Sequence, residues 1–120
     1  KQKRRLITLA NTFLNKKVDL TTTGVTTLYT VPSAATAIIK SILVSEDSGN
    51  ADTITVTITA GSDVFSLFKT KAVGANATVE LLTAPLVIEE SEILKVTAAT
   101  ANRLHVVVSA LETKKRVVTT

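Results

Sequence analysis

The chain has 120 residues, 45% of them hydrophobic, 20% charged and 3% aromatic, with a net charge of +4 and no Cys, Met or Trp. That is one domain's worth of chain, long enough to bury roughly two-thirds of its unfolded surface, and a disulfide-stapled scaffold is excluded. No apolar run approaches the roughly 18 residues of a membrane helix. The basic start also lacks the apolar segment and small-residue cleavage site of a signal peptide, so the chain reads as soluble.

Thr, Val and Ile together fill 44 of the 120 positions, while Gly takes 4 and Pro 2. That composition favours strands over helices. Charge is uneven along the chain. Residues 1–17 carry six basic side chains and no acid, and 113–120 carry three more, whereas 18–112 holds ten acids against five bases. The sequence therefore divides into a basic N-terminal arm (1–17), a body (18–112) and a basic C-terminal tail (113–120). Lys1 in place of an initiator Met is expected of a sequence that begins inside a longer chain.

The arm comes first. Lys3, Arg4, Arg5, Lys16 and Lys17 give it charge, and Leu6, Leu9 and Phe13 give it an apolar side. Leu6, Leu9, Ala10 and Phe13 fit helical spacing over 6–14, but about nine residues are too few for an isolated helix in water. An arm that orders on a protein partner is the expectation. Nucleic acid is not the expected partner, because the body is acidic and nearly devoid of aromatics, and no membrane is expected.

The body breaks into short runs spaced as in a sandwich or barrel: 18–22, 25–31, 36–45, 52–60, 63–70, 77–83, 86–88 with 92–98, and 103–111. Turn-forming residues separate them, as at Pro32-Ser33, Asp47-Ser48-Gly49-Asn50 and Gly61-Ser62-Asp63. No segment is long enough for a crossover helix, which excludes parallel βαβ units. The expected fold is all-β: an antiparallel two-sheet β-sandwich, jelly-roll or Ig-like, of about 8 strands with extended basic arms.

Strand 52–60 alternates cleanly, with Ile54, Val56 and Ile58 on one face and threonines on the other. Runs 36–45 and 63–70 are apolar on both faces, more than one core needs. Assigning Ile39, Leu43, Phe65 and Leu67 to the core leaves Ile38, Ile42, Val44 and Phe68 as an oligomer interface, with a trimer favoured. A β-bulge would reverse that assignment.

Candidate chemistry is sparse. His105 has no acid in its own run, so neither a triad nor a zinc site is formed. Glu46, Asp47, Asn50 and Asp52 are oxygen-rich but lack EF-hand spacing and read as a solvated hairpin loop. Glu89, Glu90 and Glu92 read as a charged turn. No glycine-rich phosphate loop is present. No catalytic residue, cofactor or metal is expected, and the chain is not expected to be an enzyme.

The segments LTTTGVTTLYTVPSAATAIIKSILVSEDSGNADTITVTI and GANATVELLTAPLVIEESEILKVTAATANRLHVVVSALE, spanning about 20–112, resemble small β-sandwich structural proteins of tailed bacteriophages. The cues are T-x-L-Y-T-V-P, I-I-K-S-I-L-V, N-x-A-D-T-x-T-V and L-K-V-T-A followed by L-H-V-V-V-S-A-L-E, in that order. The resemblance implies a non-catalytic virion component: an accessory on the capsid shell (a cement or decoration protein) or on the neck or tail, docked on other virion proteins. The alternative is a carbohydrate-binding sandwich of a phage fibre or host-recognition protein, but such modules present Trp or Tyr platforms, and here there is one Tyr and no Trp.

Overall fold

A computed structural model describes residues 5–119, with side chains from 10 to 115. Nine strands follow in chain order: β1 (Arg5–Asp19), β2 (Thr26–Thr30), β3 (Ala35–Glu46), β4 (Asp52–Ala60), β5 (Asp63–Val73), β6 (Thr78–Glu80), β7 (Leu86–Ile88), β8 (Ile93–Ala98) and β9 (Leu104–Thr119). There is no helix among the described residues. All pairing is antiparallel, in two sheets. One runs β1-β9-β3-β6, with β7 also on β3; the other runs β2-β8-β4-β5.

Period-two patterning explains how the sheets close on each other. Ile54, Val56 and Ile58 of β4, Leu94 and Val96 of β8, and Leu104, Val106 and Val108 of β9 turn inward into one shared core. The two-residue hairpin between β4 and β5 has Gly61 at its first central position with φ of 62°. That is the left-handed conformation a type II′ turn requires there.

The expected strands from 25 to 111 are found, with β4 at its expected bounds, whereas of 18–22 only residues 18 and 19 are strand, as the end of β1. The two basic segments differ from expectation. Residues 10–17 belong to β1, which is strand and not helix, and β1 pairs with β9 without a register shift from Arg5↔Thr119 to Asp19↔His105. The 17/18 and 112/113 boundaries thus fall inside β1 and β9, and the count reaches nine because 86–88 and 93–98 are two separate strands, β7 and β8. Leu14 and Val18 of β1 pack against the core.

Because β3 begins at Ala35 opposite Lys114, β9 beyond that point has only β1 beside it. The result is a two-stranded ribbon, Arg5–Leu9 with Lys115–Thr119, continuing the sheet past the body. The molecule accordingly measures 68 × 27 × 24 Å, with a radius of gyration of 17.2 Å, against roughly 13–14 Å for a compact domain of this length.

Where the ribbon meets the body, Tyr29 of β2 reaches across to the other sheet. Its hydroxyl donates to Glu112 Oε2 at 2.6 Å, and Lys16 Nζ sits 5.6 Å from its ring centroid, within cation–π range. Burial, then the bond to Glu112, push the Tyr29 pKa upward, so the hydroxyl stays protonated and donating.

Candidate docking surface

A β-bulge in β3 decides which residues face outward. Register against β9 shifts between Ile39 and Ser41. Ala37 and Ile39 point inward before it, and Ile42 and Val44 point inward after it; all four are fully buried. The expected interface therefore needs correction. Ile42 and Val44 belong to the core, and Leu43, assigned to the core, is 39% exposed. On β5, Phe68 packs against the core whereas Phe65 is exposed. Ile38 alone keeps its expected outward position, half-buried. The extra residue shifts every later side chain across the sheet.

Glu80 of β6 holds the bulge in place. Its carboxylate accepts from Ile42 N at 2.8 Å, Leu82 N at 3.2 Å and the Ser41 hydroxyl. Burial alone would raise its pKa, but these donors outweigh burial and lower it.

Of the expected docking arm, Lys3 and Arg4 lie outside the described residues. Arg5, Leu6 and Leu9 fall in the paired ribbon part of β1. Phe13 projects outward and is 78% exposed. Lys16 and Lys17 part to opposite faces, Lys16 to Tyr29 and Lys17 outward beside Val107. Phe13 and Lys17 therefore share one face with Ile38.

That face carries apolar side chains on β1, β9, β3 and β7, interleaved with polar ones such as Asn15, Ser109 and Ser41. Direct register partners run Phe13↔Leu111, Leu111↔Ile38 and Ile38↔Val87 from β1 to β7, and such partners share one side of a sheet. A second row pairs Leu43 with Val107. The outer face of the other sheet, by contrast, shows Thr53, Thr55 and Thr57 of β4 beside Lys95 and Thr97 of β8.

The acidic loop has a structural role that its composition did not reveal. Glu46 is 2% exposed. It accepts from the backbone N–H groups of Ser48 (2.7 Å), Gly49 (3.0 Å), Asn50 (3.1 Å) and Asn76 (3.0 Å), and from the Ser48 hydroxyl. Gly49, at φ of 83°, supplies the turn that aims these groups. Asp52 is engaged by Thr100 N at 3.1 Å. Both carboxylates are thereby committed to backbone, and no group of three His, Asp or Glu able to hold a metal forms among the described residues.

Burial raises the Glu46 pKa, but the five donors overcome it and hold the carboxyl at about 2, against an ordinary 4.5. The folded chain binds this proton more weakly than the unfolded one. The loop's contribution to stability is thus complete above pH 4.5 and drains away as pH falls towards 2. Denaturant titrations from pH 2 to 6 should show that slope, and Glu46→Gln should flatten it; parallel curves for the two proteins would rule out this role.

His105 is not without acids, as its own strand had suggested. Cross-strand neighbours bring Asp19 Oδ1 to 3.2 Å from Nε2 and Asp47 Oδ2 to 3.6 Å from Nδ1. Both ring nitrogens thus face carboxylates, and Ser45 is its register partner on β3. In the 89–92 turn, Glu92 accepts from Glu89 N at 2.7 Å and Glu90 from Ala34 N at 2.5 Å. These acids organise backbone, as charged turns do.

No protein-family model and no curated protein matches the chain. Among solved structures, a chain from the acidic stable capsid structure of Helicobacter pylori bacteriophage KHP30 is similar over 99% of this chain and 98% of that one, with a TM-score of 0.51 and 13% identity. A chain from the Bacillus endospore appendages, which form a family of disulfide-linked pili, is similar over 92% of this chain and 89% of that one, with a TM-score of 0.49 and 11% identity. The small all-β fold thus has a structural neighbour in a phage capsid structure, and at this identity the likeness is one of fold.

Proposed function

We propose that this chain is a non-catalytic structural protein of a tailed-phage virion, an accessory that docks on the capsid shell or on the neck or tail. The observation that carries the reading is the outer face of the β1-β9-β3 sheet, which places Phe13, Leu111, Ile38, Val107 and Leu43 outward and is continuous with a ribbon that projects beyond the body. A surface of that kind serves contact with protein. The fold's likeness to a chain of a phage capsid structure supports the same reading. So does the hydrogen-bonding of Glu46, Glu90 and Asp52, whose carboxylates are spent on backbone.

Quantitative mass spectrometry of density-purified particles of the encoding phage should find the chain at a fixed ratio to the major shell protein. Its absence from such particles, with the protein recovered free, would sink the proposal. Selective binding on a glycan array would favour the carbohydrate-binding alternative instead.

A further inference from the structure

We infer that the outer face of the β1-β9-β3 sheet binds a second copy of this chain, about a two-fold axis parallel to the strands. The inference does not depend on the virion reading, since it concerns the chain's contact with itself. Two cross-strand rows carry it. The first reads Lys17–Val107–Leu43–Glu80 and the second Phe13–Leu111–Ile38–Val87, each from the β1 edge to the opposite edge.

An isologous contact requires a surface complementary to itself. A two-fold axis along the strands, passing between β9 and β3, reverses each row onto its copy. Lys17 then meets Glu80 of the second copy, and Val107 meets Leu43. In the other row the most exposed aromatic, Phe13, meets the smaller Val87, and Leu111 meets Ile38. In the next row, set by Asp19↔His105, His105↔Ser45 and Ser45↔Thr78, Asp19 meets Thr78. Between the two carrying rows lies a polar one, Asn15–Ser109–Ser41, with the exposed Lys40 of the bulge beside it; the two Lys40 side chains are the one like-charge pair this axis brings to the same level. Glu80 is suited to its part, because the donors that hold the bulge also favour its ionised form.

Three strands at about 4.8 Å spacing over roughly nine residues at about 3.3 Å, with the three-residue strands β6 and β7 along the fourth edge, give a face of about 500 Å² in outline, smaller than the roughly 800 Å² per partner of a standard interface. Strands related by this axis run in the same direction, which suits aligned sheet packing. Both ribbons then leave the dimer at one end.

Sedimentation equilibrium of the full chain should give twice 12.7 kDa. Lys17→Glu, which sets two acids against each other twice in the dimer, should weaken association roughly tenfold. Phe13→Asp should weaken it further with an unchanged circular dichroism spectrum, since that side chain is 78% exposed. A monomeric or trimeric mass, or variants that dimerise as tightly as the parent, would overturn the inference. Cysteine pairing tests the axis in a chain that has no cysteine of its own. Phe13 and Val87 lie three strands apart in one copy, about 14 Å and too far for a disulfide within the chain. A Phe13→Cys/Val87→Cys double variant should therefore oxidise to a covalent dimer, and each single variant should not. Equal cross-linking by Phe13→Cys alone would show the axis to be wrong.

Discussion

Ile42→Asp should leave no folded protein. Ile42 is fully buried and sits one residue past the bulge in β3, between the carboxylate that holds the bulge and the core strand β9. Its backbone N–H is already committed to Glu80, and nothing beside its side chain is positioned to pair with a new charge. Burying an unpaired carboxylate costs about 4–5 kcal/mol or more, comparable with the whole stability of a small domain, about 5–15 kcal/mol. Far-UV circular dichroism and a thermal melt check this directly. Had Ile42 faced a partner, the same change would have produced a folded monomer, so a folded Ile42→Asp protein would mean that the bulge is absent and the faces are reversed.

Deleting residues 1–17 should be nearly as damaging. A basic arm outside the body would be removed without cost, but here the deletion takes most of β1. Leu14 no longer packs on the core, Tyr29 loses its cation, and β9 is left with a bare edge. The stability lost is about 3–5 kcal/mol from burial and ladder hydrogen bonds together, lowering the melting temperature by roughly 10–20 °C. An unprotected edge strand as long as β9 also invites pairing between chains, so the truncated protein should aggregate at concentrations where the full chain does not. An unchanged melt for the truncated chain would show that β1 contributes nothing to the body.

How much of this was legible in the sequence depends on the range of the interaction. β4 could be read to the residue, because alternation between Thr and Ile or Val is a local signal and the Gly61 turn ends it. The two apolar faces of 36–45 were legible as an excess, but their cause was not. The bulge at Ile39/Ser41 takes its register from β9 and its anchor from Glu80, residues distant in sequence. Polar Lys40 and Ser41 in the middle of an otherwise apolar run are, in retrospect, the local trace of it. The terminal strands were concealed by their charge. Lys16 is stabilised by an aromatic ring on another sheet, and nothing near it in sequence announces that contact. Glu46 was concealed in the same way, since its donors come from two separate loops.

The position of β9 also fixes the order in which the molecule can assemble. β9 is the last strand of the body in chain order, yet it lies between β1 and β3 and pairs with both. The β2-β8-β4-β5 sheet can complete its pairings from residues 26–98 alone. Its partner sheet cannot: on a ribosome, β1 emerges before the rest of the body and waits for the whole of the intervening chain before β9, the strand it pairs with among the described residues, appears. Contacts this distant in sequence place folding at the slow, high-contact-order end of the range. Until they form, Ile42 and Val44 face a core lacking its central strand, and the nascent chain is open to wrong partners for as long as its synthesis lasts.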